Sequence, residues 1–461
     1  MENYIGREKE LEILNAQWKS TGFSFGVIYG RRRVGKTSLL YRFLEGKKSI
    51  FIQSTKDKDY NLRRLSSAIG EVFFGSEDIE PYSSFASAFS VIAKNAGKER
   101  IALVLDEISY LAECDKTILS VLQSFVDQEF TKTGIMLILC GSNMSFMEKD
   151  VLGVASPVYG RRTFQIKLLP FLFSETARML QSWTLEDIAS AHAITGGVPY
   201  YLSFIREHSS IKEALDREFF SSGGRLYTEG RLYLMMELRA LELYDRILML
   251  MASGVNEVSL IADKSGKDKS SVSQALQKLY DLGIVRKRKK IAGRGLDRGW
   301  IFSDGYFHFF YRYVFPYSEM IELGAGTTLS KKAFEDLPIF AGHSMEGVFQ
   351  KYVLFHSGYP IREIGDVEFP NPETRRNEEL DLVALSSDNL MIFGECKWRN
   401  EPMAIGVYEE LVRRSTIAYP SVGKRIYYLL SRSGFKDELH KLARSSNGSI
   451  VLVDGKMLLE K

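Results

Sequence analysis

Cysteine is scarce in this chain, and so are long apolar runs. The three cysteines, Cys114, Cys140 and Cys396, are odd in number and follow no ligand spacing, which excludes a disulfide framework or a zinc site. No apolar run approaches the length needed to cross a bilayer; the segment from Ile135 to Cys140 is long enough only for a buried strand. Residues 1–8 lack the charged start and apolar stretch of a signal peptide, so we expect a cytoplasmic protein without membrane contact.

The net charge of the chain is also small. The balance of +3 is too low to argue for nucleic acid by itself, so any such case must come from local clusters. What is present is the composition of a globular protein, with 45% hydrophobic and 26% charged residues. A chain of 461 residues is long enough for two to four domains, each with its own core.

A phosphate-binding loop lies near the start of the chain. The run from Gly30 to Thr37 matches G-x-x-x-x-G-K-[ST], after a buried strand at Phe23 to Tyr29 and before a helical stretch at Ser38 to Leu44. Such a loop cradles phosphate with main-chain N–H groups, a lysine and a magnesium-binding hydroxyl. The predicted nucleotide-binding residues here are Gly30, Arg31, Arg32, Arg33, Val34, Gly35, Lys36, Thr37 and Ser38. The alternative is a basic surface turn that contains glycine.

The second predicted strand of this sheet supplies carboxylates. Ile101 to Leu105 is a continuous aliphatic run, typical of a strand buried on both faces of a parallel sheet, and Asp106 and Glu107 follow it. At the carboxyl end of the strand they would face the ligand crevice. We expect Asp106, with Thr37, to bind Mg²⁺ and Glu107 to act as general base on the attacking water. The alternative is that the acidic pair only caps the following helix.

A third strand, Ile135 to Cys140, ends in Gly141-Ser142-Asn143. Asn143 at this position could contact the γ-phosphate or the attacking water as a sensor. A turn followed by a helix cap explains the same residues equally well, so both interpretations stay open at this point.

Several segments in order carry a family resemblance. They are residues 4–11 (YIGREKEL), the loop at 30–37, residues 103–107, residues 141–143, residues 156–162 (SPVYGRR) and residues 196–202 (GGVPYYL). Together they resemble the archaeal-type P-loop ATPase family of the AAA+/STAND group, over about residues 1–330.

The resemblance implies ATP hydrolysis and three further placements. Residues 5–8 would lie near the adenine, and Gly197-Val198-Pro199 would belong to a helical lid against the nucleotide. Arg161 or Arg162 would reach a γ-phosphate, in cis or from a neighbouring subunit, where a guanidinium suits the developing charge. An arginine pair in an ordinary surface loop is the alternative.

The middle of the chain predicts a winged helix-turn-helix. Short helical patterns at Leu243 to Ala252, Val258 to Ala262 and Val272 to Leu282 are joined by tight turns, one of them with Gly266. Five consecutive basic residues, 286–290, open the predicted wing, which continues through residues 294–302. The basic run suits contacts with DNA phosphates, and an internal regulatory interface is the alternative. The aromatic run at 307–315 is expected to pack between domains rather than stack on bases.

The last part predicts a second acidic site. Pro338 to His356 has a helical pattern that includes Glu346, and strands at Leu380 to Leu385 and Leu390 to Trp398 form a hairpin. Asp381 and Glu395 on these strands would bind Mg²⁺ with Lys397 positioning or activating water, and Glu346 could add a ligand. The alternative is a solvated strand face with a Glu395–Lys397 ion pair.

The spacing E…D-x₁₃-E-x-K resembles the PD-(D/E)XK restriction-endonuclease-like fold, and residues 335–460 resemble the nuclease-like domain of unknown function that often accompanies the archaeal-type ATPase. The expected fold class is therefore α/β. Its four expected parts are an ATPase core with a parallel sheet (1–170), a helical lid (171–225), a winged helix-turn-helix (226–330) and an α/β nuclease-like domain (335–461). Expected cofactors are ATP and Mg²⁺; a DNA-cutting enzyme, a non-cutting nucleotide switch and a transcriptional regulator remain possible functions. DNA and a protein are both possible partners, and homo-oligomer formation stays undecided.

Overall fold

The computed structural model of the chain describes residues 4–297 and 299–459. Arg298 of the predicted wing, residues 1–3 of the predicted ATPase core and residues 460 and 461 of the predicted last domain lie outside the described residues. The chain divides into two compact units, Met1–Pro170 and Phe171–Lys461.

A five-stranded parallel sheet forms the centre of the first unit, with strand order β2-β3-β4-β1-β5. Every residue of β1, β3 and β4 is buried, since the aliphatic runs that predicted these strands have helices on both faces. The carboxyl ends of β1, β3 and β4 lie at one edge, which brings the residues after them together. The strands are β1 Ser24–Tyr29, β2 Ser49–Gln53, β3 Ile101–Asp106, β4 Ile135–Gly141 and β5 Phe164–Lys167.

Helices cover this sheet. Amphipathic segments such as Ile118–Gln128 bury their apolar side against the strands and leave the polar side to solvent. A 3₁₀ turn at Phe130–Lys132 and a π-helical turn at Met147–Val151 complete the unit. The helices are α1 Glu8–Lys19, α2 Lys36–Leu44, α3 Lys58–Phe74, α4 Phe85–Ala96, α5 Ile108–Cys114, α6 Ile118–Gln128 and α7 Met144–Phe146.

The second unit begins with helices. Its first ten are α8 Phe173–Met179, α9 Leu185–Thr195, α10 Pro199–Ile205, α11 Ile211–Ala214, α12 Arg225–Glu237, α13 Glu242–Ala252, α14 Val258–Ser265, α15 Lys269–Asp281, α16 Gly305–Phe309 and α17 Ser318–Met320. Single turns of π-helix at Leu215–Phe219, Phe310–Val314 and Ile321–Ala325 and of 3₁₀ helix at Phe315–Tyr317 lie among them. Between α15 and α16 the strands β6 Val285–Lys287 and β7 Trp300–Phe302 pair antiparallel.

Two local features of these helices follow from single residues. Gly266 ends α14 with φ +66°, a left-handed conformation that glycine adopts without strain, and Asp268 caps α15 by accepting the N–H of Ser271 at 2.9 Å. Phe307, Phe309 and Phe310 are buried in the core of this unit, as expected for packing residues.

A 31-residue helix, α18 Gly326–His356, leads into the last part of the chain. The predicted start at Pro338 is wrong, because the helix begins twelve residues earlier, at Gly326, and Pro338 lies inside it. Proline favours the first turn of a helix, which suggested a boundary, but here the apolar packing of flanking turns carries the helix through it. Glu346 lies in its body, as expected.

A mixed five-stranded sheet, ordered β12-β11-β10-β9-β8, completes the second unit. Strand β9 is antiparallel to both of its neighbours, β8 and β10, whereas β10, β11 and β12 are parallel. The predicted hairpin is therefore present, with the additional edge strand β8 beside it. The elements are β8 Ile361–Pro370, β9 Asn377–Ser386, β10 Met391–Lys397, α19 Ile405–Ala418, β11 Arg425–Ser431, α20 Asp437–Ser445, β12 Ile450–Asp454 and a 3₁₀ turn at Met457–Leu459.

Two predicted absences can be examined in the described part of the chain. Cys114, Cys140 and Cys396 are all free thiols. Within residues 4–297 and 299–459, no helix is both long enough and apolar enough to span a bilayer.

Candidate functional site

The phosphate loop connects the end of β1 to the start of α2. Gly35 has φ +91°, which a residue with a side chain rarely adopts, and it immediately precedes the helix. Gly30 is needed for a different reason, because a Cβ at this position would lie 2.3 Å from the carbonyl oxygen of Leu168. Both glycines of the motif therefore satisfy steric requirements of the loop.

Lys36 is almost fully buried at the start of α2, with 6% exposure. Its Nζ donates hydrogen bonds to the carbonyl oxygens of Gly30 at 2.9 Å and Arg31 at 3.0 Å. Burial lowers the pKa of the ammonium, and the nearby Cys140, Glu107 and Asp106 oppose this shift. The lysine thus lies inside the loop, with acidic groups close to it.

Thr37 and Asp106 meet at the carboxyl edge of the sheet. The Thr37 hydroxyl donates to Asp106 Oδ2 at 2.8 Å, and the N–H of Glu107 donates to Oδ1 at 3.0 Å. Asp106 is fully buried, and next to it the buried Ser54 hydroxyl has no hydrogen-bond partner among the described residues. A buried carboxylate, a hydroxyl and an unsatisfied oxygen beside a phosphate loop fit the oxygen ligands that Mg²⁺ requires.

Glu107 occupies a left-handed conformation, with φ +54°, directly before α5. Its carboxylate Oε2 accepts hydrogen bonds from the N–H of Ser142 at 3.1 Å and from the Ser142 hydroxyl at 2.9 Å. The alternative interpretation was that Glu107 caps the following helix, but its side chain accepts no hydrogen bond from an N–H of α5. The sequence analysis missed Ser142, although its position directly after β4 indicated a place beside the end of β3.

Asn143 caps a helix. Its Oδ1 accepts the N–H of Phe146 at 3.0 Å at the start of α7, which corresponds to the turn-and-cap alternative. The residue that reaches towards the acidic pair from this strand end is the neighbouring Ser142.

The surroundings of the loop include one arginine that the sequence analysis did not single out. Arg7, from the segment expected near the adenine, is 5% exposed, and its NH2 donates to the carbonyl oxygens of Val34 at 2.9 Å and Leu169 at 2.6 Å. Within the loop, Arg32 donates to the hydroxyl of Tyr110 at 2.7 Å. Arg31 and Arg33 are half-buried, whereas Ser38 is exposed on the first turn of α2.

Arg161 forms a fork-like ion pair with Asp127. Its Nε and NH2 lie 2.6 Å and 2.7 Å from the two carboxylate oxygens, and its NH1 donates to the carbonyl oxygens of Pro157 and Tyr159. These contacts hold the guanidinium against its own loop and against α6. Arg162 is half-buried.

A second cluster lies on the C-terminal sheet. Asp381 on β9 is beside Glu395 on β10, since the register pairs Leu382 with Gly394 and the strands are antiparallel. The N–H of Cys396 donates to Asp381 Oδ2 at 2.9 Å. Burial, then the charges of Glu395 and of Glu346 on α18, raise the pKa of Asp381 to about 7. The three predicted acidic residues are therefore electrostatic neighbours.

Glu395 is buried, at 2% exposure, between two cations. Lys397 Nζ lies 2.5 Å from its Oε1, and Arg414 NH2, from α19, lies 2.8 Å from its Oε2. The ion pair of the alternative interpretation is present, but it is buried rather than solvated. Arg414 was not predicted, because an arginine on a helix 19 residues further along gives no local signal.

These contacts bear directly on the predicted metal site of Glu346, Asp381 and Glu395. Among residues 4–297 and 299–459, no group of three or more histidine, cysteine, aspartate or glutamate side chains could hold a metal ion. Glu346 contacts His343 at 3.2 Å, and both Glu395 oxygens contact cations. The arrangement described here does not fit a three-carboxylate metal centre, since the lysine and arginine already supply the positive charge that a metal would bring.

Two parts of the chain resemble known protein families. Residues 4–205 match the sequence model of an ATPase domain predominantly from Archaea, and residues 310–413 match archaeal and bacterial proteins of unknown function. The chain is 26% identical over 462 residues to an uncharacterised protein of Methanocaldococcus jannaschii, covering 98% of this chain and 99% of that protein. It is also 47% identical over 45 residues to an uncharacterised ATP-binding protein of that organism, covering 10% of this chain and 76% of the relative.

A solved structure resembles the fold. A Walker-type ATPase of Pyrococcus abyssi superposes with a TM-score of 0.50 at 19% identity, covering 68% of this chain and 97% of that one. This likeness concerns the fold alone. Residues 4–205 are therefore similar in sequence to this ATPase domain, and the fold of the chain is similar to that of a Walker-type ATPase.

Proposed function

We propose that the first unit hydrolyses ATP in a Mg²⁺-dependent reaction, with the loop of residues 30–37 holding the triphosphate. One observation carries the proposal: the Thr37 hydroxyl lies 2.8 Å from the Asp106 carboxylate at the mouth of the loop. This pairing supports a magnesium shell built on Thr37 and Asp106, while Lys36 supplies positive charge to the phosphates. A bound Mg²⁺ would neutralise charge that develops on the phosphate oxygens.

Glu107 is proposed as the group that orients and deprotonates water. Ser142 holds its carboxylate through two hydrogen bonds, so the side chain keeps one orientation beside Asp106. A Glu107→Gln variant should bind ATP like the wild type but hydrolyse it far more slowly.

The test compares Lys36→Ala and Glu107→Gln with the wild type, by calorimetric ATP titration and by phosphate release with Mg²⁺ or with EDTA. Loss of binding in Lys36→Ala, and loss of turnover alone in Glu107→Gln, would support the assignment. Unchanged binding and turnover in Lys36→Ala would overturn it.

The second unit is proposed to bind DNA. We assign residues 226–330 to a winged helix-turn-helix in which α15 is the recognition helix. The exposed face of α15 supports this assignment, since it offers donors and acceptors of the kind that read base edges and phosphates: Lys269, Ser270, Ser273, Gln274 and Gln277. A Lys269→Ala, Gln274→Ala double variant should bind duplex DNA more weakly, measured by fluorescence anisotropy; unchanged affinity would contradict the assignment.

DNA cleavage by a PD-(D/E)XK-like domain at residues 335–461 is a second candidate function. The observation that favours it is the adjacency of Asp381 and Glu395, with the pKa of Asp381 raised by burial and then by neighbouring negative charge. The pairing of Glu395 with Lys397 and Arg414 favours the other possibility, a nuclease-like domain that does not cut.

A plasmid-cleavage assay in Mg²⁺ or Mn²⁺ separates these two functions. Cleavage by the wild type that is lost in Glu395→Ala, with DNA binding retained, would establish the nuclease. Absence of cleavage under either metal would leave a nucleotide-switched binding protein. We propose no step of the cleavage reaction through a metal.

A further inference from the structure

The basic run of residues 286–290 lies against the C-terminal sheet. We call residues 285–302 the basic hairpin, of which Arg298 lies outside the described residues. Arg286 NH2 is 2.5 Å from Asp366 Oδ1, and Arg288 pairs with Glu368 and, at 3.0 Å, with Glu379. Two of the five predicted phosphate-binding cations are therefore paired with carboxylates of β8 and β9.

The main chain of the basic hairpin also follows β8, the edge strand of that sheet. The N–H of Leu296 donates to the carbonyl oxygen of Glu368 at 2.8 Å, and the N–H of Ala292 donates to Glu363 Oε2 at 2.8 Å. Gly295 allows this approach, because a Cβ there would lie 2.7 Å from a methyl carbon of Val367. The hairpin covers an edge that would otherwise present unpaired backbone groups.

One apolar residue anchors the hairpin. Ile291 is 3% exposed and packs in the same apolar cluster as Val367 and Phe369 of β8. The hydroxyl of Tyr419 donates to the carbonyl oxygen of Ile291 at 3.0 Å. Ion pairs and one buried side chain thus both hold the hairpin closed.

The covered surface of the sheet is strongly acidic. Glu368 on β8 lies directly opposite Glu379 on β9, a like-charge pair that Arg288 bridges. Asp381 follows Glu379 by two residues and so lies on the same face of β9. Duplex DNA would be repelled by this face and attracted by the two arginines once they leave it.

We propose that the basic hairpin is a displaceable cover, and that the phosphates of duplex DNA compete with Asp366, Glu368 and Glu379 for Arg286 and Arg288. The proposal rests on the proposed DNA binding by α15, which would bring phosphates close to the hairpin that follows this helix in the chain. Molecules in which the hairpin is docked do not offer these two arginines to DNA. The apparent DNA affinity therefore falls as the docked fraction rises. DNA phosphates and the acidic face of the sheet therefore compete for the side chains of Arg286 and Arg288.

Three changes, each made in the whole 461-residue chain, test the cover. Asp366→Asn with Glu368→Gln removes the acidic partners, and Ile291→Ala removes the apolar anchor without any change of charge. Arg288→Gln loosens the hairpin but also removes a phosphate-binding charge. Asp297→Asn is the matched control, since Asp297 lies in the same hairpin, is 63% exposed and pairs only loosely with Lys290 at 3.6 Å.

Two readouts are needed. Hydrogen exchange over residues 288–297 reports hairpin opening, because the N–H groups of Ala292 and Leu296 bond to β8 only when it is closed. Anisotropy with a short duplex of arbitrary sequence reports DNA affinity. Circular dichroism melts verify that each variant is folded.

The cover predicts faster exchange in all three variants and in wild type on adding DNA. DNA affinity should rise at least about fivefold in the acid-side and Ile291→Ala variants, relative to Asp297→Asn, and should not rise in Arg288→Gln. Equal affinity in Ile291→Ala and wild type, or unchanged exchange with DNA bound, would overturn the cover while DNA binding stands. No DNA binding by any variant would instead refute the proposed DNA binding, and the competition with it.

Discussion

The hydroxyl of Thr37 donates a hydrogen bond to the carboxylate of Asp106 at 2.8 Å, across 69 positions of the chain. Thr37 lies in the first turn of the helix that follows the phosphate loop, and Asp106 is the last residue of strand β3. Because both lie at the same edge, a hydroxyl and a carboxylate that are distant in sequence become two possible oxygen ligands of one magnesium shell.

Replacing Thr37 tests this relationship. Thr37→Ala removes the hydroxyl, and we expect Mg²⁺-dependent ATP turnover to fall by about two orders of magnitude, the scale of losing several kcal/mol of metal-assisted charge stabilisation. Thr37→Ser keeps the hydroxyl and should keep most of the activity. Phosphate release across a Mg²⁺ titration measures both; equal turnover in the two variants would remove Thr37 from the proposed metal shell.

Arg7 should stabilise the first unit through the phosphate loop. Arg7→Met removes hydrogen bonds to the carbonyl oxygens of Val34 and Leu169 and leaves the buried Val34 oxygen without this donor, so the free energy of unfolding should fall by about 1–3 kcal/mol. Urea unfolding of the full chain measures the loss. Arg42→Met is the matched control, because its pair with Glu45 is exposed on both sides and should contribute about 0–1 kcal/mol. Similar losses in both variants would contradict a special role for Arg7.

Two neighbouring arginines on α19 should differ sharply. Arg414→Ala leaves the buried Glu395 with Lys397 as its remaining ion-pair partner among the described residues, and breaking a buried pair from one side typically costs about 3–5 kcal/mol. Arg413→Ala removes pairs with the partly exposed Glu378 and Glu410 and should cost about 1 kcal/mol or less. Thermal unfolding of both variants decides the matter: a larger loss in Arg413→Ala would refute the buried pairing.

His192 gives the second unit a sensitivity to acid. Burial lowers its pKa to about 3, with Lys351 adding a smaller effect, and its Nδ1 lies 2.8 Å from the Thr176 hydroxyl. In the unfolded chain the imidazole of His192 binds a proton as the pH falls through about 6.5. In the folded chain it binds this proton only near pH 3. Stability contributed by the neutral ring is therefore complete above pH 6.5 and is lost as the pH falls towards 3.

The measurement is the melting temperature of the full chain between pH 8 and pH 4. His192→Gln should weaken this acid dependence although it lowers stability at neutral pH. His308, whose pKa burial lowers to about 4, contributes in the same direction, so the dependence should become shallower without disappearing. An identical slope in wild type and His192→Gln would contradict the assignment.

Local patterns predicted the parts of the sites that depend on neighbouring residues. The strand, loop and helix around Gly30 to Thr37 were predictable because the motif, a continuous aliphatic run and a helical repeat fall within about twenty residues. The strands that carry Asp106, Asp381 and Glu395 were predictable for the same reason.

Contacts between distant elements were not predictable in this way. Arg414 reaches Glu395 because α19 packs on the sheet, and nothing in the residues around Arg414 separates it from Arg413. The basic run at 286–290 has the composition of a phosphate-binding wing, yet its contacts with β8 depend on a strand that the hydrophobic pattern did not reveal. Pro338 misled the helix boundary, because a local preference was overridden by packing over the whole length of α18.

Asp381 should destabilise the folded protein at alkaline pH. Its pKa is raised to about 7 by burial and by the charges of Glu395 and Glu346, while in the unfolded chain it titrates near 3.8. Between these values the unfolded state has already lost the proton that the folded state retains, so stability falls as the pH rises from about 4 to about 7 and stays low above.

Asp381→Asn removes this charge while its amide can still accept the N–H of Cys396, so the melting temperature should rise by a few degrees at pH 8 and change little at pH 4. Asp388→Asn, in the turn between β9 and β10, is the control for a general charge effect and should shift the melting temperature equally little at both pH values. A stabilisation of Asp381→Asn that is the same at pH 4 and pH 8 would contradict the raised pKa of Asp381 in the folded protein.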